Sequence, residues 1–108
     1  MRQVWLLLVG ALLAAGLTEA APAQTLMGDR DDGYALARKT CARCHRVGKA
    51  EDTPKLYPAS AFQDIADNPA STELSLRVFL RSPHRDMPDL ILTDTEIDNV
   101  VAYILGLR

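Results

Sequence analysis

The chain has 108 residues, with 12 basic and 14 acidic side chains and a formal net charge of −2 at pH 7. That length suggests one domain, and the charge balance gives no reason to expect nucleic acid as a partner. Two cysteines and three methionines are all the sulfur the chain has.

The first element is an apparent targeting segment. Arg2 precedes a 14-residue apolar run from Val4 to Leu17, and Ala21 and Ala23 flank Pro22 in a small-residue cleavage pattern. The run is shorter than the roughly 20 residues a spanning helix needs. Residues 1–23 are therefore expected to be a signal peptide, and no stable membrane span remains if it is cleaved. The rival is a segment kept as an anchor. Residues 24–31 are polar and expected to be a flexible mature N-terminus, followed by one domain over residues 32–108.

A helix is expected to start at Asp31 or Asp32, either of which can cap it. Tyr34, Ala37 and Cys41 then recur at helical spacing, with Leu36 beside them. Gly33 in the first turn weakens a helix and calls for a packing reason. Residues 47–58 carry Gly48, Pro54 and Pro58 and read as loop. A short helix follows, with Ser60 as its expected cap and Phe62, Ile65 and Ala66 turned inward. A third helix runs from Thr72 to before Pro83, with Leu74, Val78 and Leu80 or Phe79 as its apolar positions. The last helix opens with Thr93 and Glu96, a capping box, and carries the stripe Ile97, Val100, Val101, Ile104 and Leu105. No run alternates with period two, so the expected class is all-α.

Both cysteines lie in "TCARCHRVG", Cys41 and Cys44, with His45 directly after the second. A redox dithiol needs a strand–helix frame that this pattern lacks. A structural zinc site needs four ligands, so His84 would have to join these three at an unusual spacing. A disulfide between residues three apart closes a tiny loop and contributes little by chain entropy. The remaining reading uses all three residues. In C-x-x-C-H the two thiols form thioethers with the haem vinyl groups, and the histidine becomes the proximal iron ligand. A covalently held apolar macrocycle also completes a core that so short a mature chain cannot build alone.

With these residues the chain resembles a small bacterial class I cytochrome c over residues 32–108. Gly33 stands eight residues before Cys41, where that family keeps a glycine so that first and last helices can cross. "VVAYIL" resembles the family's C-terminal helix, with Val100 and Tyr103 at positions that meet the first. "MPDLILTDTEIDNVVAYI" resembles its Met-Pro loop and the helix beyond. One departure is Ala37, where many members have an aromatic residue, and Tyr34 is the expected compensation. The resemblance implies the class I cytochrome c fold, three to four helices around one haem c per chain, with N- and C-terminal helices crossing.

The second axial position falls to Met87, by resemblance and because Met1 and Met27 lie in the leader and the polar N-terminus. His84 is its rival. The resemblance also implies a proline carbonyl accepting the Nδ1–H of His45. Pro58, thirteen residues on, is the candidate, and Pro54 competes with it.

A haem with two protein ligands leaves no open site, and no general base, nucleophile pair or phosphate loop appears. The expectation is a periplasmic electron-transfer protein with His45 and Met87 as axial ligands, exchanging electrons with redox protein partners, and not an enzyme. The alternatives are a haem-bearing subunit of a dehydrogenase or oxidase complex, and a haem sensor with a labile sixth ligand. Charge is segregated: Arg38, Lys39, Arg43, Arg46 and Lys49 cluster about the motif, and Asp86, Asp89, Asp94, Glu96 and Asp98 lie toward the end. Arg77, Arg81 and Arg85, spaced by four, are expected to join Arg43 and Arg46 in a basic rim for an acidic partner, with those acids on the far side.

Overall fold

The computed structural model describes residues 26–48, 59–83 and 86–108. The leader, Pro54, Pro58, His84 and Arg85 lie outside the described residues. Within them are four helices, α1 (Arg30–Thr40), α2 (Phe62–Asp67), α3 (Glu73–Arg81) and α4 (Asp94–Leu105), and no strand. None of these helices is long and apolar enough to cross a membrane.

Helix α1 begins earlier than expected, because its cap is Asp29 and not Asp31 or Asp32. Its Oδ1 accepts from the N–H groups of Asp31 and Asp32, both at 2.9 Å. Asp31 and Asp32 instead occupy the first turn, and Arg38 and Lys39 the last, each sign at the favourable end of the helix dipole. The Asp29 N–H in turn donates to Asn99 Oδ1 at 2.8 Å, which joins the start of α1 to α4.

Helix α4 is the axis of the domain. Thr93 and Glu96 form the expected capping box, with Thr93 N–H on Glu96 Oε2 at 2.8 Å and Glu96 N–H on Thr93 Oγ1 at 3.2 Å. Ile97, Val100, Val101 and Ile104 are buried as the stripe requires. Ala102 and Tyr103 are buried too, so this helix is covered on more than one face. Helix α1 crosses it at Gly33. A Cβ placed there would fall on the backbone carbonyl of Asn99 and come within 2.9 Å of Tyr103 Cβ. Only a residue without a side chain lets the two backbones meet so closely. Tyr34 lays its ring against Tyr103, centroids 5.1 Å apart, beside a fully buried Ala37. The aromatic mass missing at Ala37 is thus supplied one turn earlier.

Helix α2 is not capped by Ser60. Ala61 is its N-cap and gives no side-chain hydrogen bond. The helix is held by buried Phe62 and Ala66, and by the end of the chain: Gln63 donates to the Leu107 carbonyl at 3.0 Å and Arg108 to that of Ala66 at 2.7 Å.

Helix α3 shows two corrections. Leu76 is its buried residue and Leu80 packs on the core, whereas Leu74, Val78 and Phe79 are each more than half exposed. Its arginines do not form a free rim. Arg77 pairs with Glu73 at 2.9 Å and with Asp98 of α4, and Arg81 pairs with Asp94 of α4. Asp94 and Asp98 therefore face α3 and neutralise the charge that the spacing by four had displayed.

Candidate functional site

The cysteines sit where α1 runs out. Cys41 is the C-cap of the helix, and its N–H donates to Ala37 O at 2.8 Å. The chain then turns on the Cys41 carbonyl, which accepts from Cys44 N–H at 3.1 Å and from His45 N–H at 2.9 Å. One tight turn of backbone thus carries both cysteines and the histidine. Val47, fully buried just beyond, anchors the exit of the turn in the core. Its carbonyl accepts the Tyr103 hydroxyl at 2.6 Å.

A second segment, residues 59–62, lies along this turn. Ala59 N–H donates to Cys44 O at 3.0 Å, and Phe62 N–H to Arg46 O at 2.9 Å. Between them His45 Nδ1 meets the carbonyl of Ser60 at 2.6 Å. A carbonyl can only accept, so Nδ1 carries the proton and the Nε2 lone pair is left for a metal. The ring of Phe62 lies 5.4 Å from that of His45. The acceptor in this structure is Ser60, two residues beyond Pro58. Sequence reasoning treated Ser60 as a helix cap, and a backbone acceptor leaves no mark in side-chain chemistry.

Cys41 and Cys44 are both half-buried and unbridged. Burial pushes the Cys41 thiol up to about 11. Among the described residues, no three His, Cys, Asp or Glu side chains converge as a tetrahedral metal site would need.

Met87 is on a separate element, the connection from α3 to α4, and is half-buried. The residue before it, Asp86, has φ 65°, a left-handed turn that a non-glycine residue adopts at some cost. Met87 borders a cavity of about 140 Å³ together with Leu80, Pro83, Pro88 and Leu90.

This donor set suits a covalently attached haem. Two unbridged thiols share one turn with an imidazole whose second nitrogen is already engaged, and a thioether lies on a proline-stiffened loop. Leu74, Val78, Phe79 and Ile91 are each more than half exposed and leave apolar surface open to solvent. A macrocycle with two apolar faces would reduce it.

Comparison with known proteins agrees with the geometry. The family model described as Cytochrome c matches residues 31–108. A cytochrome c-552 of Bradyrhizobium diazoefficiens is 33% identical over 89 residues, which is 82% of this chain and 85% of that protein. No solved structure matches the chain significantly.

Proposed function

Because the chain belongs to the cytochrome c family, an all-α family of electron-transfer proteins whose cofactor is covalently attached haem c, we propose that it is a periplasmic carrier with His/Met ligation. Cys41 and Cys44 would hold the haem as thioethers, and His45 and Met87 would be the axial ligands. The bound iron supplies a ferrous/ferric couple. The protein sets its potential through ligand identity and burial.

The observation that carries this reading is the His45 Nδ1–Ser60 hydrogen bond, at 2.6 Å, on a turn that also presents two unbridged thiols. The bond fixes the ring and raises the basicity of Nε2, as second-sphere acceptors do for metal-bound histidines. A thioether as the other ligand favours the ferrous state and raises the potential. The apolar run and cleavage pattern at the N-terminus support export. The partner is another redox protein, and its approach is favoured by exposed Arg43 and Arg46 beside the attachment turn.

Two measurements test the proposal. Acid–acetone extraction should leave the pigment on the chain, and colour in the organic phase would refute thioether attachment. Met87→Ala should retain the haem, abolish the ferric iron–sulfur charge-transfer band and lower the potential. Persistence of that band would remove Met87 as ligand.

A further inference from the structure

Helices α3 and α4 are joined by two ion pairs that form an ordered ladder. Arg81, the last residue of α3, pairs with Asp94, the first residue of α4. One turn deeper on each helix, Arg77 pairs with Asp98. The rungs step four residues back on one helix and four residues forward on the other, so the helices run antiparallel and the ladder closes the base of the loop between them. That loop is residues 82–93, and Met87 lies near its middle.

Ser82, Pro83, Asp86, Pro88, Asp89 and Ile91 in this loop are exposed. Leu92 anchors its far end on the core. A surface loop of this kind takes its shape largely from where its two ends are held. The rungs differ in character. Arg81 and Asp94 are 49% and 85% exposed at their side chains, and Arg77 and Asp98 are 20% and 19% exposed. Glu73 also holds Arg77, at 2.9 Å to Nη2 and 3.1 Å to Nε, which fixes the inner rung from a third side. The outer rung is open to salt, and the inner rung is shielded from it.

We propose that this two-rung clasp keeps Met87 on the iron, so that Arg77, Arg81, Asp94 and Asp98 are positioning residues that set how readily the sixth position opens to an outside ligand. The inference rests on Met87 being the axial ligand. Breaking a rung lets the loop ends separate, enlarges the ensemble of loop conformations and lowers the share in which the thioether is in place.

The test uses the ferric holoprotein and imidazole as the competing ligand. Asp94→Asn should increase the apparent imidazole affinity about threefold, the size expected for an exposed pair. Asp94→Asn with Asp98→Asn should increase it about tenfold or more and weaken the iron–sulfur band. The parent in 1 M salt should behave like Asp94→Asn and not like the double variant. Reversing the outer rung, Arg81→Asp with Asp94→Arg, should restore the parent's affinity. An unchanged imidazole affinity in Asp94→Asn, with only the urea midpoint lowered, would reduce the clasp to a structural tie and overturn the proposal. That variant alters an exposed residue, so the test stands even where the double variant does not fold. Met87→Ala is the control for the premise. If its iron–sulfur band persists, the ligand assignment fails; if the band is lost there but imidazole binding ignores both rungs, only the clasp fails.

Discussion

The hydroxyl of Tyr103 donates to the carbonyl of Val47 at 2.6 Å, with both residues buried. This bond ties α4 to the chain just past the attachment turn. Tyr103→Phe keeps the tilted ring contacts with Tyr34 and Phe62 but leaves a buried acceptor unpaired. The expected cost is about 1–3 kcal/mol. Urea unfolding should show a lower midpoint at an unchanged slope.

Gly33→Ala should be nearly as damaging as Gly33→Val, because the first carbon already collides with the Asn99 backbone. Overpacking of this kind typically costs about 1–3 kcal/mol. A melting temperature equal to the parent's for Gly33→Ala would place the crossing elsewhere.

Ser60 contributes a main-chain atom to His45. Ser60→Ala should therefore leave the reduction potential unchanged. Ala59→Pro removes the N–H that bonds the Cys44 carbonyl at 3.0 Å, which loosens this segment and draws the Ser60 carbonyl away from Nδ1. The imidazole then donates less charge to the metal, and the potential should rise. Potentiometric titration of the two variants checks both halves.

Glu96 is held below the usual carboxylate range, chiefly by the Thr93 backbone N–H and then by the Thr93 hydroxyl. Its folded value lies below the unfolded one, near 4.3. The stabilisation is thus fully present above about pH 4.3 and is lost as pH falls through the folded value. Glu96→Gln should flatten this part of the acid limb of a stability–pH curve. A limb identical to the parent's would show that the box carries no linked proton.

Arg43 and Arg46 are exposed and make no ion pair among the described residues, unlike Arg77 and Arg81. Reversing both to Glu should slow electron exchange with a carboxylate-terminated monolayer on gold at low salt. The rates should converge with the parent's beyond about 0.15 M, where the Debye length is near 8 Å. Equal rates at every salt concentration would separate this surface from docking.

How much of this was legible depends on whether the signal was local. The Thr93–Glu96 box and the stripe behind it could be read directly, because both partners lie within one turn. Gly33 announced a close approach but not that Asn99 was the backbone approached. Asp31 and Asp32 each offered a cap in the sequence, and the link that favours Asp29 instead, its N–H on Asn99, comes from 70 residues away. In α3 the run Leu74 to Leu80 has apolar residues on more than one face, so periodicity could not choose between Leu76 and Leu74 as the buried one. The arginines of α3 and the acids of α4 each showed a spacing of four, but their pairing needs the two helices side by side. Ser60 was beyond sequence reasoning, since every residue has a carbonyl.

The partners of α1 come from the far end of the chain: Asn99 for Asp29, and the Gly106 carbonyl for the Arg30 guanidinium, at 2.7 Å. These contacts span about 70 residues of sequence. A helix as short as α1 is marginal in water without a packing partner. The stability of α1 therefore depends on α4 and the residues just beyond it. The residues made last are thus the ones that complete the contacts of the first helix. A chain trimmed before Asn99 would leave Asp29 and Arg30 without these partners, and the first helix marginal on its own.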